Sequence, residues 1–289
     1  MSGAVWAAVS GVGFGVFQVL NARAVRNLTQ VYVATFAQLL AATAVFVVIV
    51  LLSGDAGVLT GIPANSLMYF ALAGMLHFFL GWTTLNQSQA RIGAARTSPL
   101  IATSPIFGVF IAVVATGSLP GWLALLGIAV TALGAYIVTD PGPDQRAALR
   151  DSVYGFGTSA AWALSAVFTV AGLRDFDDPL LGVTVGMAAA ALAYGAVLLA
   201  APGSRGGQMD REAWTLKIIA GAVVAFATWW RWLGLADAPV GVVLALQLLT
   251  VPTVLLLVAV HSGGESVPAR VWSGAVVVLA GVGLLITVS

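Results

Sequence analysis

Residues 93–118 read GAARTSPLIATSPIFGVFIAVVATGS, an apolar run that opens at Arg96 and carries Pro99 and Pro105 inside it. Residues 240–265 read VGVVLALQLLTVPTVLLLVAVHSGGE, a second apolar run with a proline near its middle. At one constant offset Pro105 falls on Pro252, Thr103 on Thr250, Trp82 on Trp229 and Gly134 on Gly281. The chain states one pattern twice.

The sequence around these runs is apolar throughout. Its 289 residues are 60% hydrophobic and 8% charged, with a mean hydropathy of +1.01. A soluble domain carries about 25% charged residues, so this chain cannot cover a water-facing surface and reads as an integral membrane protein. Twelve basic against eleven acidic residues leave no basic face for nucleic acid. The absence of cysteine excludes disulfides, thiolate catalysis and thiolate metal sites. The two histidines, His77 and His261, lack metal-ligand spacing. The first apolar run has no basic stretch before it and no clear cleavage site after it, so it is expected to be a retained helix rather than a signal peptide.

A helix needs roughly 20 apolar residues to cross the hydrocarbon core. Ten segments meet that need, at 3–22, 31–53, 66–86, 96–116, 121–139, 152–172, 179–201, 215–236, 240–260 and 269–288. The breaks carry turn residues and charge, as at Ser53-Gly-Asp, Gln89-Ala-Arg91, Asp140-Pro-Gly-Pro-Asp144 and Asp175-Phe-Asp-Asp-Pro179. Continuous apolar runs replace the alternation that a β-barrel requires. The most polar connector, 141–151, separates a first unit at 1–140 from a second at 152–289. Five crossings are an odd number, so the second unit must enter the membrane in the opposite sense. The expectation is an all-α integral membrane protein of ten transmembrane helices, built as two inverted five-helix repeats.

Several pieces of both halves resemble the paired EamA domains of the drug/metabolite transporter superfamily. Gly11-Val-Gly-Phe-Gly15 sets small residues around an aromatic in the first segment, matched by Thr158-Ser-Ala-Ala-Trp162 in the sixth. The family pattern of a polar break, small residues and an apolar run around a proline stands at Gly93–Pro105 and Val240–Pro252. Its acidic residue after that helix stands at Glu265, whereas Ser118 replaces it in the first half. The resemblance covers nearly the whole chain and implies a transporter in which the first helix lines the pathway. It implies cytoplasmic termini as well. The charges point the other way: Arg23, Arg26, Arg91, Arg146, Arg150, Arg205, Arg211, Lys217 and Arg270 are all expected opposite the termini, with only Arg174 clearly beside them. By the positive-inside rule the termini are expected outside.

Polar groups inside a membrane are costly, and each is a candidate site. Arg96 opens the fourth segment, either at the rim of a central cavity or snorkelling to the head groups. Arg231 sits in Trp229-Trp-Arg-Trp232, either in an aromatic pocket with one cation or in an interfacial belt. Phe14, Gln18 and Asn21 share one face of the first segment, and Trp162, Ser165 and Thr169 share a face of the sixth. Gln247, Thr250 and Thr103 complete the candidates, with the alternative that the threonines bond back to their own helices. Gln18, Asn21, Trp162, Trp229 and Gln247 are expected to line a central cavity, with Arg96 or Arg231 as its fixed charge. Pro105 and Pro252 each remove a mid-segment hydrogen bond and mark either matched gating bends or static kinks. His77 reads as structural before it reads as a proton relay. Gly11-x3-Gly15 and Gly182-x3-Gly186 read as helix-packing faces.

What is missing narrows the function. No Asp or Glu lies in the middle of a segment, so the membrane glutamate that small multidrug resistance proteins use for proton exchange has no equivalent. There is no carboxylate dyad, metal cluster or activated nucleophile, hence no enzyme, and no cofactor or ATP-binding motif. The first expectation is a secondary transporter that moves a small polar or anionic metabolite across the bilayer by alternating access. The alternatives are a flippase for a phosphate-headed lipid carrier, marked by a lateral opening, and a non-transporting membrane subunit, marked by a closed core.

Overall fold

The structure is a computed structural model that describes residues 2–26, 28, 31–53, 61–116, 121–139, 145–201, 203, 209–261 and 267–287. Helices account for nearly all of these residues, and no strand occurs among them. In chain order they are α1 (Gly3–Val25), α2 (Tyr32–Ser53), α3 (Ala64–Gly74), α4 (Trp82–Ile101), α5 (Ser104–Thr116), α6 (Trp122–Thr139), α7 (Gln145–Asp175), α8 (Pro179–Ala200), α9 (Arg211–Asp237), α10 (Val240–Gln247), α11 (Thr250–His261) and α12 (Ala269–Thr287). Seven spans among the described residues are long and apolar enough to cross a membrane. Connector acids act as helix caps. The carboxylate of Asp178 accepts from the Leu181 N–H at 2.9 Å ahead of Pro179, and that of Asp210 accepts from the Ala213 N–H at 2.7 Å.

Polarity is arranged inside out. Leu52, Leu192 and Leu199 are at least three-quarters exposed, while Gln18, Asn21, Gln38, Asn86 and Lys217 are fully buried. That arrangement suits a chain whose solvent is lipid. α1 packs along α9, and α3 and α4 pack along α7. α2 touches α9, and α8 touches α3. α1 meets α10 and α11, as α7 meets α4 and α5. α2 packs on α8, and α6 packs on α12. Small residues permit the closest approaches. A Cβ on Gly74 would come within 2.0 Å of the Gly186 carbonyl oxygen, and one on Gly11 within 2.7 Å of the Leu246 oxygen.

The expected breaks are corrected at four places. Helix continues through Gln89-Ala-Arg91, and the chain bends instead at Gly93, whose φ of 76° and ψ of 172° suit only glycine. The expected segment 96–116 is interrupted at Ala102–Thr103, and the expected segment 240–260 at Leu248–Leu249. Pro105 and Pro252 therefore lie in the first turns of α5 and α11 rather than in mid-helix, where a missing N–H leaves no hydrogen bond unmade. The expected connector 141–151 is helical from Gln145 onward, as the first turns of α7. Ser118 and Glu265 lie outside the described residues.

One further irregularity was not expected. Between α3 and α4 the helix widens into a π-helical stretch, Met75–Gly81, which contains His77. The carbonyl of His77 accepts from Trp162 Nε1 at 3.2 Å, so the widened stretch supplies an acceptor for this partly buried indole. Gly81 leaves room for this indole, since a Cβ there would lie 2.4 Å from Trp162 Nε1.

Candidate functional site

Two helix breaks, one from each half of the chain, meet at one small cavity. Its wall includes Ser98, Ile101, Ala102 and Ser104 around the first break, and Gln247, Leu248, Thr250 and Val251 around the second. Short-range bonds bridge both interruptions, with the Thr103 N–H donating to the Leu100 oxygen at 3.2 Å and the Val251 N–H to the Leu248 oxygen at 3.0 Å. Such tight turns inside a helix are hinge-like. Each break brings the end of one helix and the start of the next to the cavity, so dipole ends of both signs meet there.

The remaining wall comes from α1, α7 and α9, as Phe14, Gln18, Trp162 and Arg231. Arg231 is 2% exposed, which sets aside the interfacial-belt alternative. Its Nε donates to Gln247 Oε1 at 3.3 Å and its Nη2 to the Trp162 carbonyl at 3.4 Å, both near the outer limit of a hydrogen bond. Arg231 Nη1 has no protein partner. Neither amide atom of the fully buried Gln18 has one, nor does the Ser98 hydroxyl. Buried polar atoms in proteins are nearly always partnered, so four orphans on three neighbouring residues call for an explanation. The cavity measures about 40 Å³. At roughly 10–15 Å³ per water this is room for about three waters, too little for a metabolite without movement.

Other expected site residues are engaged in structure. Gln247 spends its amide on Arg231 and, through Nε2, on Ser10 Oγ at 3.4 Å. Thr250 lines the cavity but donates across to the Gly11 carbonyl on α1 at 2.8 Å. Thr103 bonds back to the Leu100 carbonyl at 2.7 Å and meets Ser159 Oγ at 3.0 Å. Trp229 is partly buried against the main apolar core and is not among the cavity residues. Arg96 is partly buried on α4 and is likewise not among them. His77 is buried, stacks on Trp162 with centroids 4.9 Å apart and planes 8° from parallel, and packs edge-on to Phe78.

Asn21 belongs to a second cluster that the sequence reading missed. Lys217 is fully buried on α9, four turns from Arg231 or roughly 21 Å along the helix. Its Nζ donates to Asn21 Oδ1 at 2.5 Å, Asn86 Oδ1 at 2.8 Å and Gln38 Oε1 at 3.0 Å. These three acceptors match the three protons of an ammonium group. Asn21 Nδ2 donates to Asn86 Oδ1 and Gln89 Oε1, each at 2.6 Å, and Asn86 Nδ2 donates to Thr35 Oγ1 at 2.7 Å. No carboxylate touches Lys217 among the described residues. Arg231 is therefore not the only buried cation, and Lys217 is an interior group rather than one of the flanking charges. A helical wheel holds the missed signal: Lys217, Thr228 and Arg231 fall on one face of α9.

A model of the EamA-like transporter family matches residues 1–140. No curated protein matches the chain. A solved crystal structure of a protein is similar over 98% of this chain and 96% of its own, with a TM-score of 0.65 at 15% identity, a likeness of fold alone. Residues 1–140 match the EamA-like transporter family, a family of membrane transporters within the drug/metabolite transporter superfamily.

Proposed function

We propose that this chain is a secondary transporter that moves a small organic anion by alternating access between residues 1–140 and 152–289. The observation that carries the reading is the set of unpartnered buried groups, Arg231 Nη1, Gln18 and Ser98 Oγ, on the cavity where both helix breaks meet. A buried guanidinium, with an amide and a hydroxyl beside it, favours a carboxylate or phosphate over a cation. Phe14 and Trp162 offer an apolar wall for the rest of the molecule. The matched packing of α1 on α9 with α3 on α7, and of α2 on α9 with α8 on α3, supports an inverted repeat. Rocking about the two breaks would widen the cavity to one side at a time. No ATP-binding motif is present in the sequence, so transport is facilitative, exchanging or gradient-driven.

The test is uptake into proteoliposomes across a panel of anions, zwitterions and cations, with Arg231→Gln beside wild type. Anion transport that is lost in the variant is the expected result. Preference for a cation, or anion transport unchanged in Arg231→Gln, overturns the proposal. The basic end of the bundle, with Arg23, Arg26 and Arg91, is proposed to face the cytoplasm. A C-terminal reporter that works only in the cytoplasm should then be silent, and an active one refutes this orientation.

A further inference from the structure

The bend at Gly93 opens a recess of about 270 Å³ between the end of α1 and the bent part of α4. Its wall contains Arg23, Arg26, Arg91 and Gln89, together with small residues and Ile92. Arg91 meets Asp151 at 3.2 Å and lies over the Tyr154 ring at 4.6 Å, while Arg23 reaches Glu212 only at 3.8 Å, with both side chains well exposed. The residues that line the recess include three guanidinium groups and no carboxylate, which makes its wall positive.

The second observation lies behind its wall. Lys217 can only donate, so it turns the oxygen of Asn21 toward itself. The nitrogen of Asn21 then faces outward and donates to Gln89 Oε1. With its oxygen held inward, Gln89 has its Nε2 left over. That nitrogen is buried and has no partner, and Gln89 is the residue shared by the lysine cluster and the recess. The buried lysine thus sets the polarity of an amide relay whose outer end is an unused donor among arginines.

We propose that this recess binds an oxyanion, a phosphate or carboxylate group held by Gln89 Nε2 and the arginines, at a site separate from the Arg231 cavity. The charge of Lys217 acts through Asn21 and Gln89 without touching the ligand. A free anion in solution and the headgroup of an anionic phospholipid present the same chemistry, and the recess lies at the end of membrane-spanning α1, where either arrives.

The experiment uses the full chain purified in a non-ionic detergent. Binding of radiolabelled inorganic phosphate and retention of phosphatidylglycerol over phosphatidylcholine are measured for wild type, Gln89→Glu, Arg91→Gln and Arg231→Gln. Gln89→Glu replaces the donor by an acceptor of the same shape, and Arg91→Gln changes an outer residue with little risk to folding. Each is expected to weaken binding by about tenfold or more, since charge-assisted bonds are lost. Arg231→Gln is expected to change it by less than about twofold. This leaves the site distinguishable from the transport cavity. Phosphate binding lost in the first two variants identifies a site for free anions. Phosphatidylglycerol selectivity lost in them, without phosphate binding, identifies a headgroup site. Binding of neither probe by wild type, or binding indifferent to both recess variants, overturns the proposal.

Discussion

Replacing Arg231 with methionine should separate stability from transport. The guanidinium is 2% exposed and makes only two hydrogen bonds, at 3.3 and 3.4 Å, with Nη1 unpartnered. Burying an ion costs several kcal/mol even after relaxation, whereas two long bonds return about 1 kcal/mol each. Methionine fills much of the volume without charge and leaves two acceptors, Gln247 Oε1 and the Trp162 carbonyl, at a cost of about 1 kcal/mol each. The balance predicts a substrate-free variant as stable as wild type or up to about 2 kcal/mol more stable. Transport should respond in the opposite direction. An anion on Arg231 gains charge-assisted bonds worth about 1.5–3 kcal/mol each, so loss of about 3 kcal/mol reduces kcat/KM roughly 100-fold. Thermal unfolding in detergent measures the first quantity, and initial uptake rates in proteoliposomes measure the second. A variant that melts well below wild type yet transports at the normal rate would show Arg231 to be structural and would falsify the site.

Lys217→Met removes three charge-assisted bonds of about 1.5–3 kcal/mol each. It leaves Asn21 Oδ1 and Gln38 Oε1 unpaired, while Asn86 Oδ1 keeps Asn21 Nδ2. This loss outweighs the several kcal/mol recovered by no longer burying an ammonium. A destabilisation of about 3 kcal/mol or more is expected in thermal unfolding, and an unchanged melting temperature would contradict the network. Gly93→Ala forces a side chain onto a φ of 76° and ψ of 172°, at about 1–3 kcal/mol. The variant should either lose that stability or straighten α4 and lose transport, and a fully stable, fully active variant would show that the bend is not required. Gly74→Ala sets a Cβ against the Gly186 backbone, whereas Gly108→Ala meets nothing within 4 Å. The first should lower the melting temperature markedly and the second should leave it level or slightly raised, because alanine is the better helix former by about 1 kcal/mol. Equal effects at both positions would be evidence against the α3–α8 contact.

Composition and the long continuous apolar runs determine that the chain is helical and membrane-embedded, because only helices and closed barrels satisfy their backbone in lipid and a barrel needs an alternating pattern. The repeated proline run and the glycine patterns carry the family resemblance as well, since lipid imposes the same packing constraint on both halves. Gln18, Trp162, Arg231, Gln247 and Thr250 were legible as site candidates because polar and aromatic side chains stand out against an apolar background. Tertiary structure alone decided how those residues divide. Asn21 shares a face of α1 with Gln18, yet it belongs to Lys217, because the neighbour across the interface differs at each turn. Lys217 looked like a flanking charge, since sequence gives a helix end only to within a turn or two and cannot see that α1, α2 and α4 bring three amide oxygens to it. The bend at Gly93 and the breaks ahead of Pro105 and Pro252 were equally hidden. Periodicity shows that a stretch is helical, but where a helix yields depends on which neighbours can take up the freed backbone groups.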